Sequence, residues 1–203
     1  MIKIIQKGAA FAGSLLFLFS ALASAQSFDG ERAYRYLVEQ CNLGTREPNS
    51  SGHKKAKVYF EDFLKKQKGI YSRDDFTYQD KTGGKTLALT NFQMLFKGKG
   101  GKRRLFCAHW DSRPWADHDP DLSNRSRPIL GANDGASGVA VLMELCTFFS
   151  KNPPASSAEI VLFDGEDIGR DRNNEWCRGS KHFASKADPK DYLYAVLLDM
   201  IGD

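Results

Sequence analysis

Leu105-Phe106-Cys107-Ala108-His109-Trp110-Asp111 decides the fold: an unbroken apolar run that passes directly into a histidine and a carboxylate. A short apolar run without alternation is the pattern of a strand covered on both faces. Ile160-Val161-Leu162-Phe163 and Tyr194-Ala195-Val196-Leu197-Leu198 have the same form. Each also finishes in acid, the first in Asp164-Gly165-Glu166-Asp167 and the second in Asp199. Between the first two runs, Val139, Leu142, Met143, Cys146 and Phe149 share one helical stripe that stops at Asn152-Pro153-Pro154. These three runs are expected to be the central strands. Strand and helix in alternation predict a three-layer α/β/α fold around a mixed, mostly parallel sheet, with the ligand site at the strand ends.

Upstream, Ala56, Phe60, Phe63 and Leu64 recur at helical spacing, with Lys54, Lys55, Lys57, Lys65 and Lys66 in the remaining positions. This is an amphipathic helix with a solvated lysine face. A less regular helix precedes it near Glu31 to Gln40. Alternation then takes over at Phe76 and Tyr78, and after a Gly83-Gly84 turn at Leu87 and Leu89, then Phe92, Met94 and Phe96, which predicts paired strands. The phase slips near Thr90-Asn91, where a bulge is expected.

The chain opens with Lys3 and Lys7, an apolar run from Ala9 to Leu22, and Ala23-Ser24-Ala25. That is the pattern of a secretory signal peptide over residues 1–25, cleaved before Gln26 and leaving no stable membrane anchor. The expected product is one α/β domain over residues 26–203, exported to the periplasm or secreted. The net charge of +4 falls once the two leader lysines are gone, and the remaining basic residues are scattered, so nucleic acid is not an expected partner. Cys41, Cys107, Cys146 and Cys177 match no zinc ribbon or finger, and read as buried thiols or structural disulfides.

The acidic strand ends carry the chemistry. Singly, each residue has an ordinary explanation: Asn133 or Asp134 as a helix cap, His109 as a structural histidine, Glu166 and Asp167 as a polar turn. Asp199 follows five apolar residues and precedes Met200-Ile201, where an unpaired carboxylate is expensive. Converging carboxylates require a proton or a cation among them, and Asp, Glu and His together suit zinc. Asp117, Asp119 and Asp121 alternate as calcium ligands do, but lack the glycine and terminal glutamate of an EF-hand and read as a solvated or ordering feature. Ser137 is not in a nucleophile elbow, and no phosphate-binding glycine loop follows a strand.

Taken in order, Ala108-His109-Trp110-Asp111-Ser112, Gly131-Ala132-Asn133-Asp134-Gly135-Ala136-Ser137-Gly138, Phe163-Asp164-Gly165-Glu166-Asp167, Trp176-Cys177-Arg178-Gly179-Ser180 and Leu197-Leu198-Asp199-Met200-Ile201-Gly202 resemble the bacterial glutaminyl cyclases of the zinc exopeptidase-like superfamily. The resemblance runs from about Cys41 to the end, and the segment His109 to Trp115 tilts it toward cyclases. It implies one zinc ion with Asp134 and Asp167 as ligands, Glu166 as general acid and base, and Asp199 as its acidic partner. His109 would ligate a second metal, as in an aminopeptidase, or stand behind the ligands, and Trp110 and Trp176 are candidates to wall the substrate pocket, with ordinary packing as the equal alternative. Two departures accompany it. Glu166-Asp167 stands where animal cyclases and aminopeptidases have Glu-Glu, and the family's last zinc ligand, a histidine downstream of the Asp199 strand, is absent, so the chain reads as a fragment.

The implied activity is conversion of N-terminal glutamine of peptides and proteins to pyroglutamate with release of ammonia. Two alternatives stand beside it: a zinc aminopeptidase of the same superfamily, and a non-catalytic exported peptide-binding domain.

Overall fold

The computed structural model describes residues 27–81, 84–170 and 175–202. The leader expected over residues 1–25 and Gly83 of the expected turn lie outside them. Helix α1, Gly30–Asn42, starts where the Asp29 carboxylate accepts from the Arg32 backbone N–H. Helix α2, Ser51–Lys65, starts where the Ser50 hydroxyl accepts from His53. Its apolar stripe of Ala56, Phe60 and Leu64 is buried, and Lys54, Lys55 and Lys65 face solvent.

Strands β1 (Ile70–Gln79), β2 (Thr86–Phe96), β3 (Arg103–His109), β4 (Ala158–Phe163) and β5 (Tyr192–Leu197) form one sheet in the order β1-β2-β4-β3-β5. The pairs β1·β2 and β2·β4 are antiparallel, whereas β3·β4 and β3·β5 are parallel. The fold is therefore a mixed sheet, and its parallel part is built from the three apolar runs. Helix α3, Gly138–Lys151, makes the crossover from β3 to β4, and the short α4, Arg178–Ala184, leads from β4 toward β5.

Helices α2 and α3 cover one face, where Phe60, Leu64, Phe92, Met94, Leu142, Met143, Ile160 and Leu162 are all buried around Trp110. Leu105, Cys107, Val161 and Phe163 point to the other face and meet Phe183 of α4 and Tyr192. A third cluster joins Leu87 and Leu89 to Ile168, Phe76 and Tyr78. Arg32 of α1 reaches the fully buried Glu144 of α3 at 2.6 Å, tying the outer helix to the layer beneath.

Two expectations are corrected. The phase slip at Thr90-Asn91 is not a bulge, because β1 and β2 pair without interruption from Ile70↔Leu95 to Gln79↔Thr86. The covered face changes instead: Leu87 and Leu89 pack on one side of the sheet, and Phe92, Met94 and Phe96 on the other. The run Tyr194–Leu198 is not a doubly covered central strand either. Its strand β5 lies at the sheet edge, paired only with β3 among the described residues, and leaves Leu193, Tyr194 and Leu197 about half exposed. All four cysteines are free thiols. Among the described residues no helix is long and apolar enough to cross a membrane.

Candidate metal centre

The three parallel strands deliver their acidic ends to one place. His109 is the last residue of β3, Asp164 to Asp167 follow β4 directly, and Asp199 lies just past β5. Asp134 arrives from the loop before α3. Its backbone leaves helical geometry (φ −78°, ψ 105°), so it does not cap α3 as a helix-start reading would have it. Asn133 is engaged elsewhere, accepting from the Gly202 N–H at 2.8 Å. Gly135 permits this path: its φ is +89°, and a Cβ there would stand 2.7 Å from the Asp111 carbonyl and 3.1 Å from the His109 ring.

The Nε2 atom of His109 lies 2.9 Å from Asp134 Oδ1 and 3.5 Å from Asp199 Oδ1, and the imidazole is 1% exposed. Its Nδ1 stands 3.4 Å from Asp111 Oδ1, close enough for charge attraction but without a hydrogen bond. Asp111 is fully buried and accepts two backbone N–H groups, Glu166 at 3.0 Å through Oδ1 and Asp167 at 3.1 Å through Oδ2. One carboxylate thus fixes both members of the Glu166-Asp167 pair. Arg113 closes the far side, donating at 3.2 Å to the carbonyls of Asp167 and Gly169 while paired with Asp117.

Beneath this layer Arg46 is wholly buried. Its guanidinium donates to the carbonyls of Trp110, Leu130 and Gly131 at 2.9, 3.0 and 2.9 Å, joining the exit of β3 to the approach to Asp134. A buried cation below a nest of carboxylates also offsets part of their mutual repulsion.

Burial pushes the Glu166 carboxyl above its ordinary range, opposed by His109 and reinforced by Asp111, Asp199 and Asp134. Asp167 is driven up to about 7 by burial and then by Asp111. Asp199 moves the other way, lowered chiefly by its contact with His109. It is exposed rather than trapped among apolar residues, so the cost inferred from its apolar flanks does not arise. For His109, burial favours the neutral ring, but the contacts with Asp111, Asp134 and Asp199 outweigh it and favour the imidazolium.

The donor set fits a zinc ion. Asp167 Oδ2 is buried without a hydrogen-bond partner, the state of an oxygen shaped for a ligand other than protein. His109, Asp134 and Asp199 can each bring one donor atom within 4.8 Å of the others, and one nitrogen with carboxylate oxygens is zinc chemistry. Among the described residues, no third His, Cys, Asp or Glu joins the expected pair Asp134 and Asp167 in such a group.

The expected tryptophans part company. Trp110 does not wall a pocket: it is 0% exposed, donates to the Thr90 carbonyl at 3.0 Å and stacks on His53 with ring centres 4.5 Å apart. Trp176 is half-buried, lying over Gly169 and 4.7 Å from the Arg113 guanidinium. Asp117, Asp119 and Asp121 order their own loop: Asp117 pairs with Arg113, Asp119 accepts from the Asp121 N–H, and Asp121 accepts from that of Ser123. Sequence reasoning passed over Arg46 and His53, since neither spacing nor motif separates a buried arginine or histidine from an exposed one. Asp111 did carry a signal, its place two residues beyond His109.

A helix-flanked mixed sheet that gathers a histidine and carboxylates at the ends of its parallel strands defines a zinc exopeptidase-like protein. The chain belongs to peptidase family M28, whose model matches residues 91–203. A zinc-dependent exopeptidase from Parabacteroides distasonis is 32% identical and superposes with a TM-score of 0.80 over 88% of this chain and 64% of its own. A Bacteroides thetaiotaomicron glutaminyl cyclase bound to N-acetylhistamine is 33% identical, with a TM-score of 0.80 over 87% of this chain and 63% of its own. A probable zinc metalloprotease of Pyricularia oryzae is 34% identical over 83 residues, 40% of this chain and 16% of that protein. The chain therefore spans less than two thirds of the length of these relatives.

Proposed function

We propose that this chain carries the catalytic core of a zinc-dependent glutaminyl cyclase, which closes the N-terminal glutamine of peptides and proteins into pyroglutamate. The observation that carries the reading is the placement of His109. Its Nε2 faces both Asp134 and Asp199, so a protonated ring would supply positive charge between the carboxylates where a second metal would otherwise sit. That leaves a one-metal site beside a proton carrier. Cyclisation suits such a site, because nucleophile and electrophile belong to one molecule and no activated water is required.

In this reading Asp134 and Asp167 would hold the zinc, whose contribution when bound is Lewis-acid polarisation of the glutamine γ-carbonyl. Glu166 accepts the proton from the attacking α-amine and returns it to the departing amide nitrogen. Its half-buried carboxyl, pushed above the ordinary range by burial, suits taking up and returning a proton. Asp111 fixes Glu166 and Asp167 through their backbone, and Asp199, held by His109, places a negative charge beside Glu166. Trp176 is proposed to border the substrate, and export to the periplasm or exterior would bring the enzyme to its peptides.

One observation favours a second reading, a zinc aminopeptidase. The donor atoms of His109, Asp134 and Asp199 come close enough to share a metal of their own, and Glu166 would then activate water. Mass spectrometry of a glutamine-led peptide incubated with the full-length gene product and zinc separates the two. Loss of ammonia from an otherwise intact peptide supports the cyclase. Release of free glutamine overturns it in favour of the peptidase, and an unchanged peptide overturns both.

A further inference from the structure

His53 on α2 and Asp164 at the end of β4 form a buried pair outside the set of candidate ligands. Nε2 of His53 lies 3.1 Å from Oδ1 and 3.0 Å from Oδ2 of Asp164, with the side chains 1% and 0% exposed. The Thr90 N–H donates to Asp164 Oδ2 at 2.7 Å. The backbone of Asp164 is fixed as well, its N–H donating to Asn91 Oδ1 at 3.1 Å and its carbonyl accepting from the Gly179 N–H at 2.8 Å. His53 in turn is held flat against Trp110, whose indole N–H is bonded to Thr90.

Stability alone is a poor explanation for this pair. Well-packed apolar residues serve as well as a buried ion pair or better, whereas removing one partner strands the other. Its position supplies the explanation. Asp164 opens the turn that presents Glu166 and Asp167, and Gly165 carries the turn through φ +69°. The Gly165 and Glu166 carbonyls accept from Arg178 and Cys177 at 3.0 and 3.1 Å, and Asp111 takes the N–H groups of Glu166 and Asp167. A rotation at Asp164 would therefore reach Glu166 and Asp167 with little to absorb it.

We infer that His53 and Asp164 are a positioning pair, which sets the Glu166-Asp167 turn from behind without touching metal or substrate. The pair acts on the backbone whatever the reaction, and only its kinetic consequence rests on the cyclase reading.

The test uses the full-length protein with His53→Leu, which removes the donor, His53→Gln, which retains an N–H, and Asp164→Asn, which keeps the size without the charge. The last remains available if His53→Leu fails to fold. Amide hydrogen exchange of the Glu166 and Asp167 N–H groups is the first readout. In His53→Leu or Asp164→Asn it should quicken while the amides of β3 and β4 keep their protection, and His53→Gln should restore most of the loss. The second readout is turnover of a glutamine-led peptide, where kcat should fall about tenfold or more, on the scale of lost outer-layer support at metal sites, with KM little changed.

Loss of protection across the whole sheet together with the turn, or no change in the turn, would overturn the inference. So would a KM effect without a kcat effect in an active protein. A wild-type protein that makes no pyroglutamate would refute the cyclase reading alone, since the exchange readout still decides the role of the pair.

Discussion

Nε2 of His109 lies 2.9 Å from Oδ1 of Asp134, so a buried imidazole meets a carboxylate that also faces the candidate zinc site. The two readings of the site differ in what that contact means. If His109 is the resident cation, one zinc binds per chain, and His109→Asn weakens it by roughly 10- to 100-fold without changing the stoichiometry. If His109 is itself a ligand, wild type takes up two ions and His109→Asn one. Metal analysis of the purified full-length protein, with and without the substitution, decides between them. Zinc at a hundredfold excess over Kd should stabilise the fold by about 2.7 kcal/mol for each site filled, and Asp134→Asn should erase most of that gain in a melting experiment.

Asp111 is the most exacting position near the site. Both of its oxygens accept backbone N–H groups, so Asp111→Asn turns an amide NH2 toward one of those donors. The buried mismatch should cost about 1 to 3 kcal/mol of stability. The displaced turn should lower kcat by about 100-fold, the scale expected for a misplacement near 1 Å. Denaturant unfolding and steady-state kinetics on the same preparation check the two effects. An asparagine variant with wild-type kcat would mean that the turn does not need this anchor.

The parallel strands β3 and β4, helices α2 and α3, and the acidic strand ends were legible because local pattern reports them directly. A covered strand is apolar throughout, and an amphipathic helix repeats at 3.6. Strand β5 was legible as a strand but not in its cover: an apolar run states what a strand can bury, and not which neighbours lie beside it, and among the described residues only β3 pairs with it. At Thr90-Asn91 a change of covered face imitated a bulge, since both shift the phase of alternation. Asp134, Glu166, Asp167, Asp199 and His109 were singled out by motif, and the structure brings their segments together. Their supports, Arg46 and His53, were invisible because a lone basic residue acquires its meaning only from partners distant in the chain.

Asp117 gives a pH dependence with a definite sign. The Arg113 guanidinium, with Nε 2.8 Å from Asp117 Oδ1, holds that carboxyl down to about 2 from an ordinary 3.8, against a smaller opposing effect of burial. A carboxylate whose pKa is depressed by folding stabilises fully above its unfolded pKa and loses that contribution as pH falls through the folded one. The pair is partly exposed, so screening limits its worth to at most about 1 kcal/mol. Wild type should therefore exceed Asp117→Asn in stability by a small constant amount above about pH 5. The gap should narrow between pH 4 and 2 and vanish below that. Chemical denaturation of both proteins across this range measures it, and a gap that widened toward acid would contradict the pairing.

Trp110 separates a packing role from a substrate-binding one. Its ring is fully buried among Phe60, Phe92 and His53, and its N–H satisfies the Thr90 carbonyl. Trp110→Phe leaves that carbonyl without its donor and opens a void beside His53. A loss of about 1 to 3 kcal/mol is expected. Because no face of the indole reaches the site opening, KM for a glutamine-led peptide should stay within about twofold of wild type, whereas kcat should drop if the stack on His53 helps set the turn at Glu166. Melting temperature, KM and kcat measured together assign the residue. A KM that rises severalfold in a protein of unchanged stability would return Trp110 to the substrate.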